Sequence, residues 1–207
     1  MKVLLINGSP HKGGNTFAAL SEVGRALQAD GRESEIVWIG NKPIRGCIAC
    51  GMCKTKNTGK CVFDDDVCNS ISAKFAEADG FVFGSPVYYG QPNGALLAIM
   101  QRAFFSNGAH LQNKPAAVVA ICRRGGATAA FEALQMPLQM MNMPVATSQY
   151  WNIAYGREPG QVEQDTEGMQ TMRTLAHNLA WMLRGLRGEN APAAPEREAW
   201  QPMHFIR

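Results

Sequence analysis

Short apolar runs rich in Val, Ile and Ala alternate along this chain with amphipathic stretches, and this alternation constrains its fold more than any other feature. Strands that are buried on both faces read as near-continuous hydrophobic runs, whereas covering helices repeat apolar residues every three or four positions. The pattern predicts an α/β protein in which a parallel sheet lies between two layers of helices. A chain of 207 residues has room for one such core, so we expect one domain over residues 1–188.

Five strands and five helices are predicted from this alternation. The expected strands are residues 2–6, 35–39, 80–83, 116–121 and 146–151. One expected helix begins near Thr16, and the other four cover residues 67–76, 94–105, 127–140 and 165–187. The last helix has the clearest periodicity, with Asp165 as a plausible N-cap and Gly188 as a plausible stop.

Two segments fit no predicted element. Residues 40–66 form a long connection without periodicity, and such connections are usually functional or disordered. The tail over residues 189–207 contains three prolines, yet its end is rich in large apolar side chains. These side chains are Trp200, Met203, Phe205 and Ile206. Because they are costly to leave in water, we expect the tail to dock on a second subunit in a homodimer or homotetramer; the alternative is a disordered tail.

Charge and hydropathy exclude several partners. The formal net charge is +3 without a Lys/Arg-rich run, so nucleic acid is not an expected partner. No apolar stretch approaches the roughly 20 residues that cross a bilayer, so no membrane is expected. The first apolar run stops at Asn7, too early for the core of a signal peptide. We therefore expect a cytoplasmic protein, in which disulfides rarely persist, and its six cysteines require another role.

A Gly-rich turn, GSPHKGGNT over residues 8–16, joins the first predicted strand to the first helix. Such a turn aims several free backbone N–H groups at one point, where the helix dipole adds partial positive charge, so a phosphate is the expected occupant. Ser9, Asn15 and Thr16 can add side-chain donors, and Lys12 can add charge. The alternative is an ordinary turn in which Asn15 or Thr16 caps the helix.

The same turn argues against two nucleotide sites. A P-loop requires Lys and then Ser or Thr after its second glycine, where this chain has Gly14 and Asn15. A Rossmann dinucleotide site requires G-x-G-x-x-G and an acid that ends the second strand. This chain has Gly8-Ser9-Pro10 in the turn and Trp38-Ile39-Gly40 after the strand. A terminal monophosphate remains as the expected ligand group.

Two further loops follow predicted strands. The loop over residues 84–94 carries Tyr88 and Tyr89, which predict contact with an aromatic ring; a β-turn with one Tyr on the core is the alternative. The loop over residues 122–126 offers Arg123 and Arg124 to a polar ring edge, or else forms a solvated turn. In a doubly wound sheet ordered 2-1-3-4-5, all three loops converge at the crevice outside the strand ends, and together they predict one site.

Three motifs resemble the flavodoxin-like NAD(P)H-dependent FMN reductases, and within that superfamily the iron–sulfur flavoproteins. They are GSPxxxGNT at residues 8–16, SPVYYG at residues 85–90, and DDD at residues 64–66 after a cysteine-rich run. The resemblance covers about residues 1–187 and implies a flavodoxin-like three-layer sandwich with a five-stranded parallel sheet of order 2-1-3-4-5. Val67 stands where many relatives have Met, and the tail after Gly188 matches nothing in the family.

The resemblance also implies where FMN is bound. Its phosphate would be surrounded by Ser9, His11, Gly14, Asn15 and Thr16. Its isoalloxazine ring would contact Pro86, Val87, Tyr88, Tyr89 and Gly90, with Arg123, Arg124 and Gly125 near the pyrimidine edge. No catalytic residue is expected from the protein, because FMN itself supplies the redox chemistry.

Four cysteines lie within fifteen residues in the long connection after the second strand. They are Cys47, Cys50, Cys53 and Cys61. The overlapping C-x-x-C-x-x-C run is closer to iron–sulfur ligation than to the separated knuckles of zinc sites, and it predicts a [4Fe–4S] cluster that exchanges single electrons with FMN. The alternative is a vacant loop of reduced thiols that shapes the substrate pocket or subunit interface. Cys68 and Cys122 are expected in a helix and a strand as small hydrophobes.

The function implied by the resemblance is an FMN-dependent oxidoreductase. Electrons would pass from NAD(P)H through bound FMN to a quinone, a flavin or another small-molecule acceptor. One alternative is an iron–sulfur flavoprotein that carries electrons between redox-protein partners, and another is a redox-silent FMN sensor. Electron carriers usually present a strongly acidic docking face, so a net charge of +3 favours the reductase.

Overall fold

Five parallel strands form the central sheet of the structure, a computed structural model that describes residues 1–199, 201 and 203. With one short antiparallel strand, the chain has six described strands. In chain order they are β1 (Lys2–Asn7), β2 (Glu33–Trp38), β3 (Gly80–Tyr88), β4 (Gln91–Pro92), β5 (Ala116–Cys122) and β6 (Ile153–Tyr155). The parallel strands lie in the order β2-β1-β3-β5-β6, and the two-residue β4 pairs antiparallel with the end of β3. Counted without β4, this is the predicted order 2-1-3-4-5, and the predicted fold is confirmed.

Helices cover both faces of the sheet. They are α1 (Asn15–Ala29), α2 (Met52–Lys56), α3 (Cys68–Ala73), α4 (Gly94–Asn107), α5 (Ala127–Met140) and α6 (Thr166–Arg187). Helices α1 and α6 pack on one face, and α3, α4 and α5 pack mainly on the other. Within the described ranges, no helix is both long enough and apolar enough to cross a membrane.

Strand β1 shows why the apolar runs form a two-sided sheet. Successive side chains of a strand point to opposite faces. Val3 and Leu5 accordingly enter the core beneath α1 and α6, while Leu4 and Ile6 enter the core beneath α3 and α4. All four are completely buried, and each contributes roughly 1.5–3 kcal/mol of hydrophobic stabilisation.

Helix α6 begins and ends where its sequence predicts. The Asp165 carboxylate accepts a hydrogen bond from the Gly168 N–H at 2.9 Å, which makes Asp165 the N-cap, and Gly188 follows the last residue. The other oxygen of this carboxylate accepts from the Tyr155 N–H at 2.8 Å. Asp165 therefore also joins the end of β6 to the start of α6.

The position of the last strand differs from the prediction. A strand was expected over residues 146–151, but β6 comprises Ile153–Tyr155, and the earlier segment makes only a single bridge between Val145 and Ala116. The chain bends where the Ser148 hydroxyl lies 2.6 Å from the Tyr150 carbonyl oxygen. The prediction of residues 146–151 is therefore wrong, because Ser148 bonds to its own chain and the segment bends instead of pairing as a strand.

Three smaller differences concern the loops and the tail. Strand β3 continues to Tyr88, five residues beyond the expected end at residue 83. The long connection over residues 40–66 contains the one-turn helix α2, which its sequence does not predict. In the tail, Trp200, Phe205 and Ile206 lie outside the described residues, and Met203 is exposed.

Candidate functional site

A cavity of about 770 Å³ opens at the carboxyl ends of the strands, where doubly wound sheets bind ligands. We call it the strand-end cavity. Its wall consists of residues 9–16, 38, 41, 86–88, 121–123 and 156–159. The three loops expected to converge therefore do so. The predicted site residues in this wall are Ser9, His11, Gly14, Asn15, Thr16, Pro86, Val87, Tyr88 and Arg123.

The Gly-rich turn is attached to two neighbouring strands. Its first residue, Gly8, donates its N–H to the Gly84 carbonyl at 2.8 Å and accepts from the Asn93 side chain. A Cβ at Gly8 would lie 2.8 Å from that Gly84 oxygen and 2.7 Å from Leu96 Cδ2, so a larger residue would displace the backbone. The approach of the turn to β3 therefore requires glycine at this position.

The N-terminus of α1 is open to a ligand. The helix starts at Asn15 with Gly14 as N-cap, and no side chain caps it. The alternative in which Asn15 or Thr16 caps the helix is therefore wrong. The N–H groups of the first turn remain available in the cavity that these residues line, and they favour an anion there.

The side chain of Asn15 holds a fourth loop against α1. Its amide nitrogen donates to the Glu158 carbonyl at 3.0 Å, and its amide oxygen accepts from the Val162 N–H at 3.3 Å. A Cβ at Gly156 would lie 3.0 Å from the Asn15 amide nitrogen and 2.7 Å from the Val162 nitrogen. The loop after β6 thus packs tightly on the start of α1 and completes the cavity wall.

Sequence reasoning missed this fourth loop because it placed the last strand too early. The rule that located the other three loops, the carboxyl end of a parallel strand, applies to β6 as well. Its end at Tyr155 leads directly into the wall residues 156–159. A correct strand boundary would therefore have found them.

Trp38 was also missed as a wall residue. It ends β2 beside β1, and its indole N–H donates to the Ser9 carbonyl at 2.8 Å. The Lys12 ammonium lies 6.0 Å from the Trp38 ring centroid. The half-buried Trp38 therefore supports the Gly-rich turn from the side, and Asn41 extends the wall beyond it.

The tyrosine loop contributes fewer residues than expected. Because β3 continues to Tyr88, the chain reverses over Tyr89 and Gly90, whose φ angles are +52° and +76°. Two positive φ angles are typical of a tight hairpin turn. Tyr88 lines the cavity, and its partial burial raises the pKa of the phenol, so the hydroxyl stays protonated. Tyr89 and Gly90 lie outside the wall, with the Tyr89 side chain fully exposed.

The arginine loop is likewise divided. Arg123 lines the cavity, whereas Arg124 and Gly125 are exposed and lie outside its wall. Gly126, with a φ of +87°, lets the hairpin approach, because a Cβ there would lie 2.7 Å from Gly90 Cα. Of the predicted arginine pair, only Arg123 is part of the cavity wall in the described structure. Gly126 is the position at which this loop packs against the hairpin.

Comparison with known proteins decides the family. The model of the NADPH-dependent FMN reductase family matches residues 1–158, most of the chain and nearly all of the cavity wall. The chain belongs to this family. An iron-sulfur flavoprotein of Methanocaldococcus jannaschii is 34% identical over 192 residues, which cover 89% of this chain and 98% of that protein.

Solved structures support the fold of this family member. RosB, determined with bound 8-demethyl-8-formylriboflavin-5'-phosphate, superposes with a TM-score of 0.68 and 17% identity, covering 100% of this chain and 94% of its own. An archaeal flavodoxin superposes with a TM-score of 0.61 and 14% identity, covering 89% of this chain and 99% of its own. The flavodoxin-like fold inferred from the motifs is therefore confirmed.

The four clustered cysteines of this FMN reductase family member surround a second, narrow cavity. We call residues 40–66 the cysteine loop. The four sulfur-bearing residues Cys47, Cys50, Cys53 and Cys61 all line this cavity together with Phe63, Arg102 and Phe105. None of them is in a disulfide; Cys47 and Cys50 are exposed, while Cys53 and Cys61 are partly buried. The predicted cysteine set is thus brought together in space.

The four cysteines can be compared with the ligands of zinc sites and of iron–sulfur clusters. Among residues 1–199, 201 and 203, no group of three or more His, Cys, Asp or Glu side chains is arranged to hold a metal ion. A single zinc ion draws four sulfurs to about 2.3 Å from one point. An iron–sulfur cluster distributes its four thiolates over several irons. Four cysteine thiols around one cavity match the donor type that iron–sulfur clusters use.

The two remaining cysteines are buried in regular elements, as predicted. Cys68 is the first residue of α3, and burial raises the pKa of its thiol to about 12. Cys122 is the last residue of β5 and lines the strand-end cavity, and burial raises the pKa of its thiol as well. Both thiols are therefore protonated at neutral pH and differ from those of the cysteine loop in their surroundings.

Proposed function

We propose that this protein is an FMN-dependent oxidoreductase that passes electrons from NAD(P)H through bound FMN to a small-molecule acceptor such as a quinone or a flavin. The observation that carries the proposal is the strand-end cavity itself. It combines an uncapped helix N-terminus with segments that follow four neighbouring strands, in a volume of about 770 Å³. Family membership supports the same conclusion.

The Gly-rich turn is the proposed site of the FMN phosphate. The Ser9 hydroxyl accepts from the His11 N–H at 3.1 Å, so its own hydrogen remains free to donate to a phosphate oxygen. The first-turn N–H groups of α1 and the buried Thr16 hydroxyl add further donors. Lys12 contributes positive charge to the same wall. A dianionic phosphate is complementary to this combination of donors and charge.

In contrast to the polar Gly-rich turn, the part of the wall formed by strand β3 is largely apolar. Pro86, Val87 and Tyr88 offer apolar and aromatic surface, which is what a flat heteroaromatic ring requires. Arg123 places a positive charge on the wall that would stabilise an anionic reduced ring. When bound, FMN supplies the hydride and electron transfer. The protein residues bind it, orient it and set the charge around it.

Reduction of the purified protein tests this proposal. We expect one FMN per chain, and anaerobic addition of NADPH or NADH should bleach the visible flavin band without any partner protein. A flavin that is bleached only when a redox protein is added would contradict the reductase and indicate a carrier. A flavin that neither nucleotide nor partner reduces would indicate a sensor.

A second candidate, favoured by the cysteine loop, is an iron–sulfur flavoprotein that exchanges electrons with protein partners. The supporting observation is that all four clustered cysteines line one cavity. We infer that they ligate a [4Fe–4S] cluster, and the name of the Methanocaldococcus relative agrees with this. Anaerobic purification followed by iron and sulfide assays should give about four of each per chain. Less than about one iron per chain would favour the vacant loop of thiols.

A homodimer or homotetramer is also proposed. Tyr150 and Trp151 form an exposed aromatic pair with ring centroids 5.0 Å apart, and Tyr89 and Trp181 are exposed as well. Contiguous exposed aromatic surface, such as that of Tyr150 and Trp151, commonly marks a protein–protein interface. Light scattering should give at least twice the monomer mass, and deletion of residues 189–207 should reduce it. A monomeric full-length protein would refute the proposal.

A further inference from the structure

Helix α4 carries a single charged residue, Arg102, on its buried side. Its side chain has no solvent exposure, although α4 otherwise packs apolar residues against the sheet. Burial of an unpaired charge is strongly unfavourable, so such a residue persists in a core only when its hydrogen bonds are satisfied. The partners of Arg102 therefore indicate what it does.

In the described residues, the Arg102 guanidinium donates to four groups, all of them in the cysteine loop. Nη1 donates to the Asp66 carboxylate and, at 3.3 Å, to the Arg45 carbonyl. Nη2 donates to the Phe63 carbonyl at 2.9 Å. Nε donates to Cys61 Sγ at 3.3 Å. One guanidinium thus joins both ends of the loop and one of its four clustered sulfurs.

The carboxylate of Asp66 balances the charge of this arrangement. Its side chain is also nearly fully buried, and it contacts Arg102 through an ion pair. Because the pair satisfies only part of the guanidinium, the remaining N–H groups are directed to two carbonyls and one sulfur. The Nε–H to Cys61 contact is a charge-assisted hydrogen bond when the sulfur is a thiolate.

A side chain of helix α3 holds the main chain of Cys61. Its N–H donates to the Asn69 side chain at 2.9 Å, and its carbonyl accepts from the same side chain at 3.0 Å. Among the described residues, Cys47 Sγ accepts from the neighbouring Ala49 N–H at 3.4 Å. In the described part of the chain, Cys61 is the one loop cysteine whose sulfur accepts from a helix side chain.

We propose that Arg102 is the positioning residue of the cysteine loop, which holds Cys61 Sγ as the preformed ligand of the cluster and raises the reduction potential of that cluster through its Nε–H to sulfur bond. The inference rests on the [4Fe–4S] cluster of the proposed function. Reduction makes a cluster more negative, so a cationic donor at a ligand sulfur stabilises the reduced form more than the oxidised form. Loss of that donor shifts the potential to more negative values.

The test is an anaerobic redox titration of the cluster in the full-length protein, followed by EPR. Arg102→Lys keeps the positive charge but replaces the guanidinium by a single ammonium. The double variant Arg102→Gln/Asp66→Asn removes both charges of the ion pair, so neither is left buried without a partner. We expect a negative shift of the cluster potential in both variants, larger in the double variant. The matched control is Asn69→Ala, which removes the bonds of that side chain to the Cys61 main chain, the Phe63 carbonyl and Asp64, and keeps the Arg102 side chain that donates to the Cys61 sulfur. It should lower iron retention without shifting the potential of the iron that remains.

The outcomes separate this inference from the function on which it rests. FMN content per chain reports folding in every variant. Wild-type protein without iron would refute the cluster and this inference together. Iron-loaded variants of Arg102 with the wild-type potential, or an equal shift in Asn69→Ala, would overturn this inference alone. Arg102 variants that retain FMN but take up no cluster, when Asn69→Ala still takes it up, would support the positioning role.

Discussion

The strand-end cavity and the cysteine loop are both built from loops, but they are held in place in different ways. The cavity is fixed by main-chain hydrogen bonds between neighbouring strand ends, such as Gly8 N–H to the Gly84 carbonyl at 2.8 Å and Gly156 N–H to the Cys122 carbonyl at 3.0 Å. The cysteine loop follows the edge strand β2 and depends on side chains from two helices, Arg102 of α4 and Asn69 of α3.

This difference teaches how each region should respond to mutation. The sheet imposes the position of the strand ends, so a change to a wall side chain should affect ligand binding and the loop that this side chain holds, and should leave the strands in place. The cysteine loop has no neighbouring strand to define its path, so a few buried polar groups must do so. The two regions should therefore lose their ligands independently. Substitutions in either region, with flavin and iron measured on the same sample, test that independence.

Replacement of Cys50 should give the largest effect. Cys50→Ala removes one of four proposed ligands, and we expect loss of nearly all iron with about one FMN per chain retained. Iron, sulfide and flavin are measured on the same anaerobic sample. The matched control is Cys122→Ala, which removes a thiol from the other region and should retain the iron. Loss of both groups in Cys50→Ala would show that the regions are coupled.

The buried thiol beneath the cysteine loop should be the least reactive of the six. Burial raises the pKa of Cys68 from 9.0 to about 12, which lowers its thiolate fraction roughly 1,000-fold at pH 8. Alkylation of metal-free native protein, followed by mass spectrometry, should therefore label Cys47 and Cys50 long before Cys68. Denatured protein, in which all six react, is the control.

The same shift has a consequence for stability. Because the folded pKa of Cys68 is raised, its protonated thiol contributes stability that is fully present below pH 9.0 and is lost as the pH rises through about 12. Denaturant unfolding at increasing pH should show this loss. In the labelling experiment, equally fast alkylation of Cys68 and Cys47 at pH 8 would show that the Cys68 thiol is not buried in the folded protein.

A charge change at the start of α1 should weaken FMN binding strongly. Asn15→Asp replaces the donor to the Glu158 carbonyl by a carboxylate beside the phosphate site, so charge repulsion and loss of that hydrogen bond act together. We expect a dissociation constant about 100-fold higher, or about 2.7 kcal/mol. Fluorescence titration of the apoprotein measures it.

The control for this variant lies on the same helix. Gln28→Glu makes the same amide-to-acid change at the exposed far end of α1 and should leave FMN affinity unchanged. Iron content should stay constant in both variants. An undiminished FMN affinity in Asn15→Asp would contradict the proposed position of the phosphate at the start of α1.

The smallest expected effect concerns the support of the Gly-rich turn. Trp38→Phe keeps an aromatic ring but removes the indole N–H that donates to the Ser9 carbonyl at 2.8 Å. A neutral hydrogen bond contributes about 0.5–1.5 kcal/mol, so FMN should bind roughly 2- to 12-fold more weakly. Trp181→Phe, on the exposed face of α6, is the matched control. Equal affinities for both variants would show that the turn needs no support from β2.

Particular residues show how far the fold and the site follow from local sequence. The strands β1 and β5 are readable because sheet burial on both faces leaves no polar position in either apolar run. Asp165 is readable as a cap because its role depends only on the residues that follow it. Ser148 was not, because its bond to the Tyr150 carbonyl competes with strand pairing, and the resulting shift of β6 concealed the loop over residues 156–159.

The amino-acid sequence is enough to predict the α/β class, the sheet order implied by its motifs, the loops that meet at the strand ends and the set of four clustered cysteines. These follow from periodicity, turn chemistry and spacing, which act over a few residues. Only the folded protein shows that the Tyr89 side chain is exposed outside the cavity wall and that Arg102 bonds to the cysteine loop. Arg102 satisfies its buried charge with groups that lie 36 to 57 residues away in the chain. A local pattern does not contain such a partnership, because only folding brings the desolvated charge and its acceptors together.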